Sequence, residues 1–315
     1  MTELPTRRPF RFSSPATGCR TRQEVVERAR MLEDLGYSTI TIADHFAEQL
    51  GPIATLMAIA DATTSLRIGS MVFSNDYRHP AVLAKEAATL DLLSDGRLEF
   101  GLGAGWKAAD YATTGIEFDP PGLRIERMEE SLQVIKALWA DGPVHHTGRH
   151  YHVADLDGAP KPIQSPHPPI VVGGGSKRIL QFAAREADIV GFIPSMASGK
   201  VDAQAGASAT PEATDRRLEW IRDAAGDRFA HLELQVRLEF ALVTDDPDPL
   251  FEGMAGGFGL TPDQARATPY ALVGPTSAMV ELLEDRRERW GFSYVGVPRD
   301  VAEAMAPVVA KLAGR

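Results

Sequence analysis

Leu98-Glu99-Phe100-Gly101-Leu102-Gly103-Ala104-Gly105-Trp106 is the stretch that decides the fold. Leu98–Leu102 reads as a short buried strand, and the chain then runs through glycines at every second position. A dinucleotide-binding turn needs Gly-x-Gly-x-x-Gly opening directly into a helix. Here the third glycine comes one residue early, and Trp106 follows with no immediate helical pattern. The stretch therefore reads as one strand of a βα repeat whose loop exposes backbone and then a large aromatic side chain.

Outward from this strand the same alternation recurs on both sides. Upstream lie a strand near Phe10–Ser13 and a helix opened by the capping box Thr21-Arg22-Gln23-Glu24. The β-branched run Thr39–Ile42, a helix over Pro52–Ala62, a strand over Leu66–Phe73 and a helix from Pro80 to about Asp95-Gly96 come next. Downstream, a long helix carries Ile125, Met128, Leu132, Ile135 and Trp139 on one face. Then follow strand Ile170–Val172, helix Lys177–Glu186, strand Asp188–Phe192, a helix near Glu219, and one long strand over Leu232–Thr244. Helix Thr276–Trp290, strand Tyr294–Val297 and a last helix complete eight βα units. Eight units predict an α/β fold of the closed (β/α)8 TIM barrel type, with an open doubly wound sheet as the alternative. A single domain over residues 1–315 is expected, with insertions near 141–169, 195–214 and 247–268 where Pro, Gly, His, Ala and Ser displace the helical pattern.

Composition bounds the function. Hydrophobic residues make up 44% and charged residues 24%, as in globular proteins. Thirty-three Lys and Arg against 43 Asp and Glu give a net charge of −10, which disfavours a nucleic-acid partner. The single Cys19 supports neither an internal disulfide nor a thiolate metal site. The first twenty residues contain no apolar core like that of a signal peptide, and no 18-residue apolar run occurs, so a cytoplasmic protein without a membrane partner is expected.

In a barrel, chemistry sits where strands end and βα loops begin. After the second strand, Ala43-Asp44-His45-Phe46 brings a carboxylate and an imidazole together, suited to proton transfer; a loop cap with a structural histidine fits the same residues. After the third, Met71-Val72-Phe73-Ser74-Asn75 fits one wall of a flat pocket with Asn75 at its rim, and equally ordinary strand contacts. After the fifth, Gly173-Gly174-Gly175-Ser176 leads into a helix bearing Lys177 and Arg178, where free N–H groups, a hydroxyl and positive charge favour a phosphate over a plain turn. The histidines at 145, 146, 150 and 152 match no metal-ligand template, so no metal site is expected. No Gly-x-Ser-x-Gly elbow or P-loop is present.

Taken together and in order, Ala43-Asp44-His45-Phe46, Asp95-Gly96-Arg97 leading into Gly103-Ala104-Gly105-Trp106, Gly173–Ser176 and Val273-Gly274-Pro275-Thr276 resemble the luciferase-like monooxygenase superfamily, in particular its branch using the deazaflavin coenzyme F420. The resemblance implies a barrel with a deazaflavin or flavin across the C-terminal ends of its strands and the cofactor phosphate at Gly173, Gly174, Gly175 and Ser176. It implies that Asp44 and His45 lie by the ring, with His45 assisting proton movement. Met71, Val72, Asn75, Gly103, Ala104, Gly105 and Trp106 are the further cofactor-binding candidates. It also implies a non-prolyl cis peptide at the end of the third strand, by register Met71–Val72. One departure stands out: related sugar-phosphate dehydrogenases carry a glutamate just after the fourth-strand glycines, where this chain has Trp106. The expected function is hydride transfer between F420 and a small organic substrate. An FMN-dependent monooxygenase and a non-catalytic flavin or deazaflavin carrier or sensor are the alternatives. The resemblance implies a homodimer.

Overall fold

The computed structural model describes residues 4–46, 49–195 and 206–315. Its strands are β1 (Arg11–Pro15), β2 (Thr39–Ile42), β3 (Arg67–Ser70), β4 (Phe73–Ser74), β5 (Leu98–Gly103), β6 (Pro143–Thr147) and β7 (His152–Asp157). They continue with β8 (Ile170–Gly174), β9 (Ile189–Phe192), β10 (Glu233–Arg237), β11 (Phe240–Val243), β12 (Ala271–Gly274) and β13 (Phe292–Gly296). The main sheet runs β3-β2-β1-β13-β10-β9-β8-β5-β4, and β3 pairs β5 as well, so eight strands form a ring. This is the (β/α)8 barrel that the repeat predicts, and each of the eight expected strands supplies one of its staves.

Strands buried on both faces are what a parallel barrel needs. β2, β5, β9 and β13 are buried at every position. On β5 the two faces differ in kind: Leu98, Phe100 and Leu102 alternate with Glu99, Gly101 and Gly103. Phe100 meets the Trp139 ring edge-on at 5.0 Å, and Trp139 donates its indole N–H to the Ala84 carbonyl. These contacts hold α5 (Pro121–Trp139) and α3 (Pro80–Leu93) against β5.

The chain separates into two compact units. The described residues of Ala16–Arg30 and Ile40–Val171 form one, with β3, β4 and β5 paired in parallel. The expected third strand over Leu66–Phe73 is interrupted: β3 ends at Ser70, and the Met71–Val72 peptide before β4 is cis. The excursion after α5 contains an antiparallel hairpin, β6 with β7. Glu130 of α5 holds its tip by accepting the N–H groups of Arg149, His150 and Tyr151. The histidine-rich run belongs to this hairpin, with His146 on Glu130 and His150 on Glu126.

The described residues of Met1–Pro15, Met31–Thr39 and Val172–Arg315 form the other unit, where β1, β13, β10 and β9 pair in parallel. Two expectations are corrected here. The long strand over Leu232–Thr244 divides at Leu238-Glu239, because the Leu238 N–H follows β13 to Gly296 while the Glu239 N–H turns to the Tyr270 carbonyl. β10 therefore stays in the barrel and β11 pairs with β12 in a second sheet. The stretch expected to be loose, 247–268, forms α8 (Asp248–Phe258) and α9 (Pro262–Ala267). Phe251, Met254, Ala255 and Ala265 pack there on Ala271 and Val273 in a small core of their own. Thr261 and Gln264 close a reciprocal capping box at the start of α9. Ten residues of the expected 195–214 insertion, 196–205, lie outside the described residues. Among the described residues no helix is long and apolar enough to cross a membrane.

Candidate active site

Asp44 and His45 follow β2 directly, yet their side chains go to different partners. Asp44 is buried, and its carboxylate accepts the Ser74 N–H at 3.1 Å and a bidentate pair of bonds from Arg78. Oδ2 takes both the Ser74 N–H and one Arg78 N–H while Oδ1 takes a single longer Arg78 bond at 3.3 Å, so Asp44 ties the end of β2 to β4 and the turn after it. His45 turns the other way: its Nδ1 lies 2.6 Å from Asp110 Oδ2, and its ring meets Trp106 edge-on at 5.8 Å. No described residue bonds its Nε2.

The glycines of the strand-five loop are filled by protein. A side chain on Gly101 would strike the Ser70 carbonyl at 2.1 Å, and one on Gly103 would strike Val72 at 2.4 Å. The glycines thus let the segment around the Met71–Val72 peptide lie against β5, and Met71 N–H itself donates to the Ile42 carbonyl at 2.8 Å. Gly105 has φ +76 and stands against the Tyr111 hydroxyl. The carbonyls of Ala104 and Gly105 both accept from Arg124.

Asn75 is buried rather than at a rim. Its Nδ2 donates to the Tyr151 hydroxyl at 3.2 Å, while its Oδ1 has no partner among the described residues. Beneath it, Asp76 accepts the Tyr111 hydroxyl at 2.9 Å and Arg127 at 2.8 Å. Burial, followed by the charge of Asp110, pushes the Tyr77 hydroxyl up to about 12. Burial and the neighbouring Asp76 likewise raise Tyr111. Phe46, Trp106 and Phe118 remain largely exposed, and Tyr77 links Phe46 (4.9 Å) to Tyr111 (5.7 Å), which meets Phe118 at 4.5 Å. The result is an aromatic rim beside His45, where Arg78 is engaged by Asp44, Arg127 by Asp76 and Asp119, Lys107 by Asp110, and Arg124, 4.2 Å over the Phe118 ring, by backbone carbonyls.

In the other unit, Gly173–Ser176 ends β8 and starts α6 (Lys177–Glu186). A side chain on Gly175 would meet the Ser195 backbone at 2.7 Å, and one on Gly174 would meet Ile179 at 2.3 Å. Ser176 is exposed and stands at the cap position of α6, where its side chain does not bond the first turn. Behind the turn, the buried Arg217 donates to the Gly175 carbonyl at 3.2 Å, to Ser208 and to the Tyr270 hydroxyl. The turn places an exposed hydroxyl at a helix start and a guanidinium behind one of its peptides, chemistry that suits an anion.

Of the expected residues in the first unit, His45, Trp106, Met71, Val72, Gly103, Ala104 and Gly105 gather along the ends of β2, β3 and β5, with Asp44 and Asn75 beside them. Asp110, Arg78, Tyr77, Tyr151 and Arg217 were missed. Asp110 lies four residues past Trp106 on α4 (Ala108–Thr114), where it looks like an ordinary helix-surface acid.

The chain matches the family described as luciferase-like monooxygenase over residues 6–227. It is 30% identical over 185 residues to an F420-dependent glucose-6-phosphate dehydrogenase of Amycolatopsis mediterranei, covering 56% of this chain and 54% of that one. It is 28% identical over 190 residues to the oxygenase component of a flavin-dependent trigonelline monooxygenase of Acinetobacter baylyi, covering 58% and 52%. In both cases the chain spans about half the length of the relative. Its fold is that of the coenzyme F420-dependent tetrahydromethanopterin reductase of Methanopyrus kandleri, with a TM-score of 0.74 over 98% of this chain and 99% of that one at 18% identity. With the profile match covering well over half of its length, the chain belongs to the luciferase-like monooxygenase family.

Proposed function

We propose that this protein is an oxidoreductase that binds coenzyme F420 and transfers hydride between it and a small, uncharged organic substrate. The observation that carries the reading is His45, held through Nδ1, with Nε2 bonded by no described residue, beside the exposed Trp106. The protein-side features fit a deazaflavin. The buried Asn75 Oδ1 lacks a donor, which the N–H of a pyrimidine-type ring would supply. The exposed Ser176 hydroxyl at the start of α6 suits its phosphate. When bound, the cofactor supplies the carbon that accepts or releases hydride. The chain's part is to hold the ring over Met71–Val72 and Asn75, to exclude water with the aromatic rim, and to take or return a proton at His45 Nε2.

The substrate assignment follows from the rim. Phe46, Trp106 and Phe118 offer apolar surface, while Arg78, Arg127 and Lys107 are each neutralised by a carboxylate. This supports a neutral, apolar or aromatic alcohol or ketone over a sugar phosphate. An FMN-dependent monooxygenase is the second reading, favoured by the trigonelline monooxygenase relative. The test is anaerobic incubation with oxidised F420 and a panel of aliphatic and aromatic secondary alcohols, followed by the loss of deazaflavin absorbance. Substrate-dependent bleaching without oxygen supports the proposal. Turnover only with reduced FMN and oxygen supports the second reading.

A further inference from the structure

Asp110 is a charged group that no expectation from sequence included. It sits in the first turn of α4, its side chain is 5% exposed, and Oδ2 lies 2.6 Å from His45 Nδ1. Its other oxygen is 3.5 Å from Lys107 Nζ. A carboxylate only accepts, so a bond this short requires the proton to sit on His45 Nδ1. That leaves the lone pair of the neutral imidazole on Nε2, the nitrogen that no described residue bonds.

We propose that Asp110 is a positioning residue that fixes His45 in the Nδ1–H tautomer and sets its ring edge-on to Trp106, so that Nε2 is the proton-exchanging atom of the site. The catalytic use of that atom rests on the function proposed above; the tautomer does not. The groups facing the imidazole support this division of labour. Lys107 compensates the Asp110 charge and keeps the carboxylate in place. The neighbouring carboxylate, Asp44, is turned away and neutralised by Arg78. Tyr77, raised to about 12, stays neutral through the working range and adds no competing charge. When Nε2 takes a proton, the imidazolium is left paired with a buried carboxylate; when it gives the proton up, the same tautomer returns. In oxidation the substrate hydroxyl gives its proton to Nε2 as the carbinol carbon gives hydride to the cofactor; in reduction the carbonyl carbon takes hydride from the cofactor as its oxygen takes the proton from Nε2.

Two readouts test this separately from cofactor use. Long-range proton–nitrogen NMR of the cofactor-free protein reads the tautomer of each of its eight histidines, with His45→Gln identifying the resonance of interest. The expected result is the Nδ1–H form in the wild type. In Asp110→Asn the amide can donate to a bare Nδ1, so the Nε2–H form appears; Asp110→Ala shows it too, and if that variant does not fold, Asp110→Asn carries the test alone. Turnover with F420 and a secondary alcohol should then fall by about 10²- to 10⁴-fold in kcat, the scale of lost acid–base assistance, with KM for F420 changed by less than about threefold. An Nε2–H wild type, or Asp110 variants with an unchanged tautomer, overturns the proposal. Failure to bind F420 with the tautomer as expected overturns the cofactor reading instead.

Discussion

Replacing Gly101 by alanine should damage the fold at the point where β3 and β5 meet the site. The added Cβ would stand 2.1 Å from the Ser70 carbonyl oxygen and 2.9 Å from Val72 Cγ1. The first of these is backbone and cannot rotate away, so β3 must move by more than an ångström. That movement opens the reciprocal bonds between Ser70 and Gly101, in which the hydroxyl donates to the carbonyl at 2.7 Å and accepts the N–H at 3.0 Å. Overpacking costs about 1–3 kcal/mol and each lost bond about 0.5–1.5 kcal/mol, so the total loss is about 2–6 kcal/mol. Urea unfolding at fixed temperature measures it. Gly103→Ala provides the contrast, because its clash is with a side chain, Val72 Cγ2 at 2.4 Å. Adding Val72→Ala should rescue Gly103→Ala and leave Gly101→Ala unrepaired. Gly253 of α8, with open space around its missing side chain, is the control; alanine there should stabilise by about 0.5–1 kcal/mol. A Gly101→Ala protein within about 0.5 kcal/mol of wild type, the range of a neutral surface change, refutes the reasoning.

Other outcomes follow from the same contacts. Asp44→Ala leaves the Ser74 N–H without its acceptor and Arg78 with only the longer Glu86 contact at 3.6 Å; the expected loss is about 1–3 kcal/mol by chemical denaturation, the cost of stranding buried polar groups. Tyr77 ionises near 10 when unfolded and about 12 when folded, so between those values the unfolded chain binds fewer protons and stability falls as pH rises. Tyr77→Phe should flatten that alkaline decline, read as the urea midpoint between pH 9 and 12. Burial raises the Glu130 carboxyl, but the bonds from His146 and the Tyr151 and His150 N–H groups outweigh it and hold it below the ordinary range. Its contribution is therefore present above the unfolded pKa and lost as pH falls through the lower folded value. Glu130→Gln should remove this acid sensitivity and speed proteolysis within 148–151, the hairpin tip its carboxylate holds.

The barrel was legible because periodicity is local: each strand is a short apolar run, and each helix a spaced stripe ended by glycine or proline. Three places escaped that logic. The cores of α8 and α9 are small and interrupted by glycines, although Thr261 and Gln264 spell a capping box that a closer reading finds. The run from Leu232 to Thr244 is uniformly strand-like, and only the competing carbonyls of Gly296 and Tyr270 divide it. In the site, sequence adjacency suggested that Asp44 and His45 act together. The backbone turns them apart, and the true partners, Arg78 and Asp110, lie 34 and 65 residues away. Such partnerships depend on tertiary approach, which no spacing rule encodes. The alternating glycines were legible as a close approach of a ligand or of another backbone, and it is protein that approaches: the Ser70 backbone at Gly101, Val72 at Gly103 and Tyr111 at Gly105.

We propose that the strand ends around His45, Met71–Val72 and Asn75 hold a deazaflavin ring. The most direct measurement is a fluorescence titration of the cofactor-free protein with oxidised F420 and, in parallel, with FMN in the same buffer, repeated on Asn75→Ala. The expected result is saturable binding of F420, much weaker binding of FMN, and at least a fivefold loss of F420 affinity in the variant, corresponding to about 1 kcal/mol for one hydrogen bond. Preference for FMN, or binding of neither cofactor by a folded protein, contradicts it.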